Sequence, residues 1–235
     1  MLHVYANSLE APVSVVDTLR RVPLFAQLSE DDLARVAAMV RERPYPRHSV
    51  IVFEGDPGDA LFIVAAGQVK VVLIGEDGRE VILAVLESGD CFGELALIDD
   101  EPRSAHVIAM DDARLLVLRR DDFQQALEGH PRLALALLRT LSRRLRRADD
   151  QIGALVLLDV YSRVARVLLE LANGSPEGDL VRRVTHATIA QMIGSTRETV
   201  SRTLRELADH GLIEASSRGI RLADLTALRA AAKLS

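Results

Sequence analysis

The stretch "LFIVAAGQVKVVLIGEDGREVILAVLESGD", Leu61 to Asp90, holds three short apolar runs separated by turn residues. The breaks fall near Gly67, at Glu76-Asp77-Gly78 and at Ser88-Gly89-Asp90. Runs rich in Val, Ile and Leu between such turns read as strands, with interior positions at every second residue. The pattern extends outward. "VIVFEGDPGD" places a turn at 54–59 upstream, and "SAHVIAM" and "ARLLVLRR" add strands downstream. Many short strands in sequence predict an antiparallel sandwich or barrel between about Val50 and Leu118.

Both flanks switch to the helical period. Residues 14–43 read helical, with Ser29 as an N-cap and Asp31 and Asp32 in the first turn. The prolines of "RPYPRH" (Arg43 to His48) end that segment. Downstream, "DDFQQALEGHP" reads as a short helix stopped by Gly129 and Pro131, followed by a long one from Leu133 to Leu158. On the long helix, Leu138, Leu141, Leu145, Ala148, Ile152, Leu155 and Asp159 alternate in threes and fours. That is a two-helix coiled-coil seam. One chain supplies one such stripe, so a homodimer is expected; the alternative is packing on the chain's own barrel. Asp159 is placed to cap the next helix, "VYSRVARVLLELA", and the polar loop "NGSPEGD" (Asn173 to Asp179) follows.

Composition narrows the function. The single cysteine, Cys91, excludes an internal disulfide framework and a four-cysteine metal or iron–sulfur site. No apolar run approaches the roughly 18 residues of a membrane span. The N-terminus lacks a basic segment followed by an apolar one, so a cytoplasmic location with no membrane partner is expected. Net charge is −5, yet residues 160–235 carry 11 Lys/Arg against 8 Asp/Glu. A basic C-terminal third behind an acidic body suits a nucleic-acid module joined to something else.

Two stretches carry chemistry. In "FGELALIDDEPRSA" (Phe92 to Ala105), a glycine, a carboxylate, a guanidinium and a hydroxyl interrupt strand-like sequence. A core strand has no use for them, whereas a small anionic ligand does. A surface Glu94–Arg103 salt bridge is the bland alternative. In "VTHATIAQMIGSTRETVSRTLRELADHGLIEASSRGIRL", Ile189, Ala190, Ile193, Val200, Leu204 and Leu207 form the apolar set of two short helices. Gly194 lies between them and Thr196 is placed to cap the second. This is helix-turn-helix logic. "LIEASSRGIRL" adds a β-hairpin wing with its tip near Ser217-Arg218-Gly219. Arg197, Glu198 and Arg202 face away from the apolar stripe, and Arg and Glu suit guanine and cytosine edges in a major groove. A solvated helix face with Arg–Glu pairs is the alternative for these three.

Barrel, long helix and "STRETVSRTLREL" together resemble the cyclic-AMP receptor protein/FNR family of bacterial transcription regulators, from about residue 20 to 222. "FGELALIDDEPRSA" resembles the family's phosphate-binding cassette, and "STRETVSR" the recognition helix of members that bind cyclic AMP. The resemblance implies an α+β fold. It consists of an N-terminal antiparallel jelly-roll β-barrel that binds a cyclic nucleotide (1–131), a long dimerisation helix with a hinge (132–159), and a C-terminal winged helix-turn-helix (160–235). It implies cyclic AMP as allosteric effector, double-stranded palindromic operator DNA and RNA polymerase as partners, and no enzymatic activity.

The implied nucleotide site comprises Gly93, Glu94, Leu95, Arg103, Ser104, Arg144, Ala148 and Asp149. Arg103 and Ser104 take the phosphate, Glu94 the ribose 2′-hydroxyl, and Gly93 lets the backbone approach the sugar. Cyclic-AMP-responsive relatives carry a Thr-Ser or Thr-Asn pair against adenine where this chain has Ala148 and Asp149. Ala148 offers no hydrogen bond, while an ionised Asp149 only accepts and so favours adenine N6 over guanine O6. The implied DNA-contacting set is Thr185, His186, Ser195, Thr196, Arg197, Glu198, Arg202 and Arg218, with TGTGA-like half-sites expected. Two alternatives stay open: a constitutive regulator of the same family, and a cyclic-nucleotide module that binds no DNA. His106 is read as a structural strand histidine rather than a haem ligand.

Overall fold

The fold is taken from a computed structural model that describes residues 14–173, 179–181, 184–216 and 219–233. Residues 1–13, 174–178, 182–183, 217–218 and 234–235 lie outside the described residues, and with them most of "NGSPEGD" and two of the three residues expected at the wing tip. The chain divides into two compact units. One comprises the chain up to Val71 together with Val85–Ser142, the other Val72–Ala84 together with the chain from Arg143 onward.

The first unit opens with α1 (Val15–Arg21) and α2 (Glu30–Met39). Ser14 and Ser29 cap them, accepting from the backbone N–H of Asp17 and Asp32. The chain then enters β1 (Arg41–Tyr45) and β2 (Val50–Val52). The expectation of helix up to residue 43 is corrected here: α2 ends at Met39, and Arg41 to Tyr45 pair antiparallel with the strand at Ala113–Val117. Pro44 lies inside β1, beyond the end of the helix, and it does not prevent a strand, because β1 is an edge strand in its sheet. An edge tolerates a residue that cannot donate to the ladder.

The remaining strands follow the turns read from the sequence: β3 (Ala60–Ala66), β4 (Val69–Ile74), β5 (Glu80–Leu86), β6 (Cys91–Phe92), β7 (His106–Ala109) and β8 (Ala113–Arg119). A four-residue helix, α3 (Leu95–Ile98), interrupts them. The strands make two antiparallel four-stranded sheets of a jelly-roll, with orders β1-β8-β3-β6 and β2-β7-β4-β5. In the first, Leu61 pairs with Leu118 and Ile63 with Leu116, so one apolar row faces the core. Those four side chains, with Leu19, Phe25, Leu33, Phe123 and Leu133, form one buried cluster. Each such large side chain contributes about 1.5–3 kcal/mol through removal from water.

α4 (Arg120–Gly129) and α5 (Pro131–Leu157) follow. Pro131 marks the end of α4 and also begins α5, where a missing N–H costs nothing. Along α5, Leu138, Leu145, Ile152 and Leu155 are half or more exposed, while Leu141 is partly buried against the first unit's core. Among the described residues no helix is long and apolar enough to cross a membrane.

In the second unit, Asp159 accepts from the Ser162 N–H at 2.8 Å and so caps α6 (Val160–Asn173). α7 (His186–Ile193) and α8 (Arg197–Asp209) form the helix-turn-helix. The wing strands β10 (Ile213–Ser216) and β11 (Gly219–Leu222) pair antiparallel. A two-residue strand that the sequence did not reveal, β9 (Leu180–Val181), adds to β11. The C-terminal stretch forms α9 (Leu225–Ala231), capped by Asp224. Leu228 and Ala232 are fully buried, in one cluster with Val164, Leu168, Ile189, Val200 and Leu207.

Candidate functional site

The first constellation is built at the end of β6. Gly93 turns the chain at φ +85°, and Glu94 then stands at the N-cap position of α3. A Cβ on Gly93 would lie 2.4 Å from Arg103 Nη1 and 3.0 Å from the Ala60 carbonyl oxygen, so only glycine fits here. Arg103 lies within a close chain crossing. Its backbone N–H donates to the Asp56 carbonyl at 2.9 Å, and the Gly55 N–H donates to the Arg103 carbonyl at 2.8 Å. Its side chain turns inward. Nη1 donates to the Gly93 carbonyl and Nη2 to the Ala60 carbonyl, both at 2.8 Å. The guanidinium carbon stands 5.6 Å from the Phe62 ring centroid, and Phe62 stacks on Phe92 at 5.0 Å.

Arg103 is only 6% exposed and Glu94 only 2%. Burial pulls the Arg103 guanidinium below its usual range, opposed by the charges of Asp59, Glu94 and Asp56 and reinforced by that of Arg120. Asp59 is its ion-pair partner at 3.8 Å and is largely exposed. Two of the five guanidinium N–H donors go to main-chain carbonyls, which leaves donors for an incoming anion. Leu95 and Ser104 are both exposed at this site. The fold therefore brings Gly93, Glu94 and Arg103 together. Arg144, Ala148 and Asp149 lie on α5 within the second unit.

His106, on β7, accepts from the Glu54 N–H through Nδ1 at 3.2 Å, and its ring meets Phe53 edge-on. That is a structural tie between β7 and the loop at Glu54.

The second constellation is the helix-turn-helix. Thr185 caps α7 and Thr196 caps α8, each accepting from the N–H three residues on. Gly194 makes the left-handed turn at φ 61°, ψ 48°, and the Ser195 N–H closes it onto the Ala190 carbonyl. All six apolar residues picked from the sequence are buried. On α8, Val200, Thr203, Leu204 and Leu207 face the core, while Arg197, Glu198 and Arg202 are exposed. His186 meets Ser201 of α8 at 2.8 Å. Arg205 shares the exposed face, and its Nε donates to the Ser201 carbonyl. The sequence reading passed over it, although its spacing of three from Arg202 was a usable signal. Arg218 lies outside the described residues.

Such a chain pairs a buried arginine in a jelly-roll with a helix that presents Arg197, Arg202 and Arg205 on a winged helix-turn-helix. Residues 42–130 match the family described as Cyclic nucleotide-binding domain, and residues 162–231 match the Crp-like helix-turn-helix domain. A CRP-like cAMP-activated global transcriptional regulator of Mycobacterium tuberculosis is 34% identical over 214 residues, which is 88% of this chain and 95% of that protein. The Cyclic AMP receptor protein of Thermus thermophilus is 37% identical over 191 residues, covering 81% of this chain and 88% of that one. Among solved structures, the global regulator CLP of Xanthomonas campestris, described as responsive to c-di-GMP, superimposes with a TM-score of 0.73. It is 27% identical and covers 83% of this chain and 100% of that one. The chain therefore belongs to the cyclic-AMP receptor protein/FNR family and is a cyclic-nucleotide-binding, DNA-binding transcription regulator, not an enzyme.

Proposed function

We propose that the chain is a homodimeric regulator switched by cyclic AMP and bound to palindromes with TGTGA-like half-sites. The observation that carries this is the buried Arg103, held under Gly93 beside buried Glu94. A fixed planar cation with donors to spare suits a cyclic phosphodiester. Ser104 adds a donor to the phosphate, Glu94 accepts from the ribose hydroxyl, and Leu95 borders the sugar. Arg144, Ala148 and Asp149 are assigned to the base side by their match to the family. Relatives at 34% and 37% identity described as cAMP-activated or as a cyclic AMP receptor support the choice of nucleotide.

The domains follow the same scheme: a sensor at 1–131, a dimerisation helix at 132–159 and a DNA-binding domain at 160–235. The exposed stripe of Leu138, Leu145, Ile152 and Leu155 supports pairing with a second copy. Two recognition helices would then sit about 34–36 Å apart, one turn of DNA. Thr185, His186, Ser195 and Thr196 meet phosphates, Arg197, Glu198 and Arg202 read bases, and Arg218 adds charge from the wing. RNA polymerase is the protein partner, and the cytoplasm the place where both are met.

Calorimetry with cyclic AMP, cyclic GMP and c-di-GMP tests the ligand. Tighter binding of cyclic AMP is expected, because ionised Asp149 repels guanine O6. Equal affinities, or none for any of the three, would sink it. A second reading is favoured by Ala148, which supplies no hydrogen bond: a regulator of the same family that binds DNA without ligand. It predicts undiminished operator binding by ligand-stripped protein.

A further inference from the structure

Arg120 has no place in the site described so far, yet it makes more hydrogen bonds around the cassette than Arg103 does. It is the first residue of α4. Its Nε and Nη2 both donate to the Gly58 carbonyl, at 3.2 and 2.6 Å. Nη2 also donates to the Ala96 carbonyl at 2.7 Å, and Nη1 pairs with the Asp100 carboxylate. The Arg120 backbone N–H donates to the Asp59 carbonyl at 2.8 Å.

The placement is specific. Arg103 ties Gly93, just before Glu94, to Ala60; Arg120 ties Ala96, just after Glu94, to Gly58. Two guanidiniums thus join the same two chain segments on either side of Glu94. The approach they hold is tight, since a Cβ on Gly58 would lie 2.3 Å from the Ala96 Cβ. α3 has only four residues and no side-chain cap at Glu94. So short a helix does not hold itself; its position comes from outside.

We infer that Arg120 is a positioning residue for the nucleotide site: it fixes α3, and with it Glu94, against the start of β3 without itself touching the ligand. This rests on the reading of the cassette as the nucleotide site. The division of labour has a reason. An arginine that takes an anion needs donors left over, as Arg103 has, whereas each guanidinium nitrogen of Arg120 is already engaged by Gly58, Ala96 or Asp100. Its charge is also felt at Arg103, which a bound phosphate would relieve.

The test compares Arg120→Ala and Arg120→Lys with the unaltered full-length chain. Calorimetry with cyclic AMP reads affinity, and amide hydrogen exchange reads order in α3 at Leu97, Ile98 and Asp99. Arg120→Ala should weaken cyclic AMP by about tenfold or more, and raise exchange in α3 while leaving α8 unchanged. Arg120→Lys keeps the charge but cannot span Gly58 and Ala96, so it should recover little of the loss. Ligand affinity within twofold of the unaltered chain in Arg120→Ala would overturn the inference, as would full recovery in Arg120→Lys. If the unaltered chain binds no cyclic nucleotide, the cassette reading fails, and the exchange measurement alone decides the positioning role. Unchanged α3 exchange in Arg120→Ala then overturns it, and selective loss of α3 protection upholds it.

Discussion

Arg103 and Arg197 are both assigned to a nucleotide or nucleic acid, yet the chain treats them in opposite ways. Arg103 is buried and bonded to two main-chain carbonyls, so it is part of how the barrel closes. Arg197 stands exposed at the start of α8, and the buried residues of that helix hold it in place without Arg197. In the sensor, the proposed binding group and the folding group are one side chain. In the reader, they are on opposite faces of one helix. Substitutions in the sensor should therefore cost stability and function together, while substitutions in the reader should cost function alone.

The largest effect is expected for Arg103→Ala. It leaves the Gly93 and Ala60 carbonyls without their donors and removes the charge proposed to meet the phosphate. Loss of about 2–4 kcal/mol of stability is expected, with cyclic AMP binding abolished. Denaturant unfolding and calorimetry check both, and normal stability without ligand binding would break the comparison. Next comes Gly93→Ala, where a Cβ meets Arg103 Nη1 in a left-handed backbone. About 1–3 kcal/mol should be lost, with weaker ligand binding because Arg103 is pushed aside. Arg197→Ala should cost about 1–3 kcal/mol in DNA binding and relax one base position. Its thermal stability should stay within about 0.5 kcal/mol. A large loss of stability there would show that the two faces of α8 are not separate.

The smallest effect concerns the cap of α6. Asp159 is held below the ordinary carboxylate range, first by the Ser162 backbone N–H, then by the Ser162 side chain, with Lys233 also contributing. A depressed folded value means its contribution is present above the unfolded value and is lost as pH falls through the folded one. The cap is worth about 0.5–1 kcal/mol. Hydrogen exchange in the first turn of α6 should rise on acidification, and Asp159→Ala should show that rise already at neutral pH. Exchange indifferent to both changes would remove Asp159 from the cap.

The same contrast explains what could be read from the sequence. The reader was legible because its logic is local: Gly194 and Thr196 mark a turn and a cap within three residues, and the apolar set has one period. The barrel strands were legible from their turns, as at Gly67, Gly78 and Gly89, each with positive φ. What escaped was set by distant partners. β1 becomes a strand through pairing with β8, despite Pro44. α3 is too short for any period to show. Arg120 ends "ARLLVLRR", which reads as a strand, whereas it begins α4, and only the fold brings Gly58, Ala96 and Asp100 to it.

The central claim is that the buried anion site governs the exposed reading helix. A ligand acts only through its differential affinity for the DNA-competent state. The direct measurement is a fluorescence-anisotropy titration of a palindromic duplex with TGTGA-like half-sites, at fixed salt, with and without saturating cyclic AMP. The account predicts that cyclic AMP tightens binding by about tenfold or more, and that Arg103→Ala removes the difference. Equal affinity with and without cyclic AMP in the unaltered chain would contradict it.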